Sequence, residues 1–178
     1  MTTMENETFT LDTLQQEDAA SLSLLMVSNA GRFERFFPRT LAQNTTASDA
    51  LTFIQTKKVE ASAKKEFTYA LRSSENDTIA GLVILKELDW NKKQGELAYC
   101  IGQRYEGRGW MTQAVGRLSR LAISEWGLKT LQIIVHAENI ASIAVAKKCG
   151  YRWQRTLHKA YTPPKERPLD MELYELHA

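Results

Sequence analysis

The tetrapeptide Glu106-Gly107-Arg108-Gly109 combines residue types that could hold an anion. Two glycines one residue apart remove the Cβ atoms that would keep a phosphate from the backbone, and Arg108 between them adds a positive charge. Trp110 and Met111 open a segment of helical periodicity, so the turn would present its N–H groups at a helix N-terminus. Those groups have no intrahelical partner and lie at the positive end of the helix dipole, which suits pyrophosphate. Alone, a Gly-x-Gly turn reads equally well as a tight strand-to-helix connection. Two nucleotide fingerprints fit poorly. A Walker A loop needs Lys-Ser/Thr where Trp110-Met111 stand, and a dinucleotide fingerprint needs a glycine or alanine at Thr112.

A second group follows. Asn139 stands at a plausible N-cap one turn before Ser142, and the helix they open ends in Cys149-Gly150-Tyr151. His136 and His158 read as satisfied histidines. Cys100 and Cys149 lack the spacing of a zinc site, so no metal is expected and both read as free thiols of a reducing compartment.

The elements that must position these groups follow from periodicity. Phe9 to Leu14 alternates as a strand, and Ala19, Leu22, Leu25, Met26 and Ala30 describe a helix that stops at Gly31. A second helix is expected from Ser48 or Asp49 to about Lys64. The aromatic segment Phe33 to Pro38 between them reads as a loop plugging the core, ahead of a substrate lid. Phe67–Arg72, Thr78–Leu88 and Gly95–Ile101 form an antiparallel meander. A long amphipathic helix then carries Met111, Ala114, Val115, Leu118, Leu121, Ala122 and Trp126 on one face, with Gly127 at C′. Leu131–His136 is a strand, Asn139–Lys148 a helix, and Tyr151–Lys159 and Leu169–Leu176 are strands around the turn at Pro163-Pro164.

With 178 residues, 43% hydrophobic and 25% charged, the chain is expected to be one globular domain, 1–178, with a packed core. A formal charge of +2 is too small for a sequence-independent nucleic-acid binder, so no direct nucleic-acid partner is expected. Met1–Thr13 carries three carboxylates and no basic residue, unlike a signal peptide, and no run approaches the roughly 20 apolar residues that span a bilayer. A cytoplasmic protein without a membrane partner is the simplest reading. A homodimer or homo-oligomer stays open.

The order strand, Gly-x-Gly turn, helix, strand, Asn-x-x-Ser helix, Gly-Tyr resembles the GNAT superfamily of acetyl-CoA-dependent N-acetyltransferases. Glu96-Leu97-Ala98-Tyr99, Tyr105-Glu106-Gly107-Arg108-Gly109 and Asn139-Ile140-Ala141-Ser142 resemble most the ribosomal-protein N-terminal acetyltransferases of the RimJ and RimL type. The resemblance implies an α/β fold with a mixed, strongly twisted seven-stranded sheet flanked by helices, splayed between the strands at Leu97–Ile101 and Leu131–His136. It implies acetyl-CoA as cofactor and a primary amine as acceptor, a protein N-terminus or a small molecule.

It also implies roles. Backbone groups at Cys100 and Ile101 pair with pantetheine, and the turn from Glu106 through Gly107, Arg108, Gly109 and Trp110 to Met111 holds the pyrophosphate. Asn139 contacts the pantetheine arm, and Ser142 protonates the departing thiolate, a task that many relatives give to a tyrosine at the position of Ala146. Lys147, with Lys148, could meet the adenosine 3′-phosphate, or simply suit the end of its helix. The family motif has Gln or Arg where Glu106 stands, so Glu106 is expected to face solvent. Acetyl transfer needs a neutral amine, and Glu96 is the best candidate base, weighed evenly against a solvated strand carboxylate. A backbone N–H near Tyr99 or Cys100 would meet the oxyanion. Two other readings remain: an enzyme for a small amine such as a polyamine or aminoglycoside, and a non-catalytic acyl-CoA-binding module.

Overall fold

The alternation near the start of the chain is realised as a strand. In the computed structural model, which describes residues 4–5 and 8–178, a two-residue strand β1 (Met4–Glu5) pairs antiparallel with β2 (Phe9–Thr13), where Phe9 and Leu11 are wholly buried. The chain divides into two units. One holds the residues up to Ile84 with Tyr99–Trp110, the other Leu85–Ala98 with Met111–Ala178.

In the first unit β2 pairs antiparallel with β3 (Phe67–Ser73), in register from Phe9 opposite Ser73 to Thr13 opposite Tyr69. Next in strand order come β4 (Ile79–Asp89), which runs on into the second unit, and β5 (Gln94–Ile101), which returns from it. Helices α1 (Ala19–Ser28), α2 (Ala30–Phe33), α3 (Pro38–Ala42) and α4 (Ala47–Ser62) complete the unit. Its core joins Leu22 and Met26 of α1, Ala50, Phe53 and Ile54 of α4, and Leu82 and Cys100 of the strands. α4 begins where Thr46 accepts the Asp49 N–H at 3.1 Å, which satisfies one donor of the first turn.

Two expectations change here. The first helix ends at Ser28, not Ala30, because Asn29 leaves helical geometry at φ −116° and returns its side-chain amide to the Leu25 carbonyl at 2.8 Å. The aromatic segment is not a loop throughout: Phe33 ends α2, and Pro38, with its fixed φ, opens α3. Its packing is that of a core plug, since Phe33 is buried and Phe37 packs against the same cluster.

A polar network not visible in the sequence ties this unit together. Arg72 of β3 grips Asp18 with two hydrogen bonds, 2.5 and 2.9 Å, and reaches Asp12 of β2 at 3.4 Å. Asp18, itself buried, also accepts the Gln15 N–H at 2.7 Å. Burial pushes the Asp12 carboxyl above its ordinary value in spite of Arg72.

In the second unit the strand order is β4, β5, β6 (Thr130–Val135), β8 (Leu169–His177), β7 (Arg152–Tyr161). β6 lies parallel to β5 and antiparallel to β8, so the sheet is mixed. The seven expected strands are therefore β2 to β8. The parallel pairing of β5 with β6 lasts three rungs, from Gln94 opposite Thr130 to Glu96 opposite Gln132, while Ile133–Val135 continue against β8 alone. That early parting is the expected splay. Gly95 leaves room for the side chains of β4: a Cβ there would come within 2.9 Å of the Leu85 side chain and 3.0 Å of Leu88. Helix α5 (Trp110–Ser124) buries Ala114, Val115, Leu118 and Ala122 completely, and α6 (Ile140–Lys148) precedes β7. Tyr151, after α6, shares a buried hydrogen bond of 2.8 Å with Ser119 of α5.

Candidate active site

The glycine turn is built from its two ends inward. β5 finishes at Ile101, and Gly102 lies so close to α1 that a Cβ would meet the Leu25 side chain at 3.0 Å. A single 3-10 turn, Gln103–Tyr105, follows, and its first N–H donates to Asn29 Oδ1 at 3.0 Å. Tyr105 and Trp110 are both buried, and their rings stack with centroids 5.4 Å apart; Phe9 meets the Trp110 ring at 5.5 Å. The Tyr105 hydroxyl bonds Thr78 at 3.1 Å and accepts from Asn76 at 3.2 Å. Between these two anchored rings all four residues of Glu106–Gly109 are exposed.

Gly107 and Gly109 have φ of +72° and +75°, and a Cβ on either would find nothing within 4 Å. The glycines are thus required by backbone conformation, and the space beside them is open. A turn with positive φ residues that ends at a helix N-terminus is a geometry that receives anions. The charges around it are placed. The Arg108 guanidinium lies over the rings of Tyr105 and Trp110, at 5.5 and 5.2 Å, with Glu75 at 3.9 Å. Glu106 does not simply face solvent as expected: it forms an ion pair with Arg32 of α2. Neither Asn29 nor Arg32 was legible as a site residue, because each meets the turn across 74 residues of sequence and belongs to no motif.

The second unit holds the other group. Glu96 stands on the last shared rung of β5 and β6, its side chain largely buried, with Lys86 Nζ 3.5 Å away. Burial raises its carboxyl above the ordinary 4.5, and Lys86 opposes that shift only in part. Met111 is buried in α5. Asn139 is the N-cap of α6, its Oδ1 accepting the Ser142 N–H at 3.2 Å, which leaves its Nδ2 as the group to donate elsewhere. The sequence-derived pair Asn139 and Ser142 is therefore brought together, with Ser142 half-buried. Lys147 lies exposed in the last turn of α6.

Neither thiol is activated. Cys100 is buried and desolvation pushes it up to about 12. Cys149 is raised as well, by burial, and donates to the Thr112 carbonyl at 3.2 Å.

The parallel strands β5 and β6 share three rungs, and the Gly-x-Gly turn opens the helix that lies between them in sequence. The family model of the acetyltransferase (GNAT) domain matches residues 8–152. The putative ribosomal N-acetyltransferase YdaF of Bacillus subtilis (strain 168) is 26% identical over 148 residues, 82% of this chain and 79% of its own. Among solved structures, ribosomal-protein-S5-alanine acetyltransferase from Vibrio fischeri superposes with a TM-score of 0.92 at 15% identity, covering 99% of this chain and 97% of that one. The ribosomal L7/L12 α-N-protein acetyltransferase RimL, solved with coenzyme A, reaches 0.88 at 16%, with the same coverage. These two establish the fold. The chain belongs to the GNAT acetyltransferase family and is an acetyl-CoA-dependent N-acetyltransferase.

The turn's glycine requirement is measurable without substrate. Gly109→Ala forces a Cβ onto a backbone at φ +75° and should cost roughly 1 kcal/mol in urea unfolding. An unchanged midpoint would show that the turn does not hold that conformation.

Proposed function

We propose that the enzyme acetylates the α-amino group of a protein or peptide, of the ribosomal-protein type, by direct attack within a ternary complex in the cytoplasm. The observation that carries this reading is the exposed glycine turn, open to an anion and anchored by Tyr105 and Trp110. The residues fit acetyl-CoA: backbone N–H groups from Gly107 to Met111 and the Arg108 guanidinium suit its pyrophosphate. In the first unit the backbone groups of Cys100 and Ile101 suit pantetheine amides; in the second the Asn139 Nδ2 is a donor of the same kind and Lys147 a charge suited to a phosphate. The ribosomal acceptor is supported by the name of the Bacillus relative.

The donor supplies an acetyl thioester. Glu96 takes the proton of the incoming ammonium, directly or through water, and the freed nitrogen attacks the acetyl carbon as the C–S bond breaks. Ser142 gives its hydroxyl proton to the departing sulfur and takes back the second proton released by the nitrogen as the amide forms, so the products are the amide, the free thiol and one proton on Glu96. The burial that raises Glu96 strengthens it as a base, and Lys86, 3.5 Å away, opposes that shift in part. Direct attack is favoured over an acyl-enzyme because a thiol at about 12 supplies almost no thiolate near neutral pH.

Thiol release from acetyl-CoA should be fastest with peptides bearing a free α-amine. A preference for polyamines or aminoglycosides would replace the acceptor class, and silence across all amines together with tight acetyl-CoA binding would indicate a binding module.

The two catalytic side chains separate in kinetics. Ser142→Ala should lower kcat by about tenfold or more and leave the acetyl-CoA KM near its original value. A base works only when ionised, so a raised Glu96 places the acid limb of kcat above pH 4.5, with activity lost as pH falls through it. Glu96→Gln should depress kcat and abolish that limb; a limb that persists would remove Glu96 from the role.

A further inference from the structure

The turn that suits pyrophosphate begins with a carboxylate. Glu106 is exposed at its first position, directly before Gly107, where an ionised side chain would repel the phosphates and weaken their binding. Its charge is met from a distant part of the chain by Arg32.

We propose that Arg32 is a positioning residue for the donor: by neutralising Glu106 and drawing its carboxylate toward α2, it makes the glycine turn competent to hold the pyrophosphate of coenzyme A. The proposal rests on the reading of that turn as the pyrophosphate site.

The mounting of Arg32 is specific. The Arg32 and Phe33 N–H groups both donate to the Asn29 carbonyl, at 2.9 and 3.0 Å, so α2 starts from the residue whose side chain already holds the Gln103 N–H. Phe33 sinks into the core beside Leu25 and Met26 and fixes the orientation of this short helix. Asn29 and Arg32 therefore grip the same loop at two points, its first N–H and its carboxylate. The positive charge of Arg32 is also felt at Cys100, near the end of the strand that leads into the loop. A partly exposed ion pair of this kind adds little to folding stability, so a role in stability alone does not account for the arrangement.

A double-mutant cycle reads the claim, with coenzyme A affinity measured by calorimetry on the full chain and the unfolding temperature recorded for each variant. Arg32→Gln should weaken coenzyme A about tenfold or more while shifting the unfolding temperature by only about 2 °C. Glu106→Gln, which leaves Arg32 unengaged beside the phosphates, should tighten it by about threefold. The double variant should return to within about threefold of the parent. Arg32→Lys, which keeps the charge, should recover most of the affinity, and covers the case in which Arg32→Gln folds poorly. A double variant as weak as Arg32→Gln would mean that Arg32 binds phosphate itself, and an unchanged affinity in Arg32→Gln would show that Glu106 needs no neutralisation; either result overturns the proposal. Gly109→Val keeps the two readings apart. If it leaves affinity intact, the pyrophosphate site is elsewhere; if it weakens binding and Arg32→Gln does not, the turn stands and only the role of Arg32 falls.

Discussion

The proposed donor site depends on two buried aromatic rings that hold an exposed tetrapeptide between them. Fixing four backbone residues costs roughly 4–8 kcal/mol in conformational entropy. The stacking geometry of Tyr105 on Trp110 contributes only about 1 kcal/mol, and each cation–π contact of Arg108 about 0.5–1 kcal/mol. Burial of the rings is the larger quantity, at roughly 4–6 kcal/mol for each side chain. The turn is therefore ordered by its apolar ends, which frees its middle to stay polar, exposed and open to a ligand.

Glycine and charge then divide the work inside the turn. The positive φ values of Gly107 and Gly109 aim the backbone without placing side-chain atoms on its open face. Arg108 is parked over the rings and Glu106 is held by Arg32, so neither long side chain is left to drift across the N–H groups. In the other unit a comparable economy serves Asn139, whose Oδ1 satisfies the Ser142 N–H and whose remaining amide is thereby oriented. Glu96 stands at the fork of β5 and β6 for a topological reason, since the rung opposite Gln132 is the last that the two parallel strands share.

Much of this was legible in the chain. The period-two and period-3.6 patterns located every long element to within a few residues, because burial on one face is a local property of sequence. Gly107, Gly109, Asn139 and Ser142 were legible because turn and cap chemistry acts over three or four residues. What was missed is long-range. Arg72 meets Asp18 across 54 residues, and Asn29 and Arg32 meet the turn across 74, pairings that only the folded chain creates. The short helices α2 and α3 escaped because a single turn carries no readable period, and Glu106 was assigned to solvent because its partner was not in view.

The central claim is that the backbone between Tyr105 and α5 receives the phosphates of the donor. It is tested most directly by following backbone amide resonances of the isotopically labelled full chain during titration with coenzyme A, and separately with pantetheine, which lacks the pyrophosphate. Coenzyme A should shift the amides of Gly107, Arg108, Gly109, Trp110 and Met111 most strongly, and pantetheine should leave them in place. Saturation with coenzyme A that leaves those five amides unmoved would contradict the account.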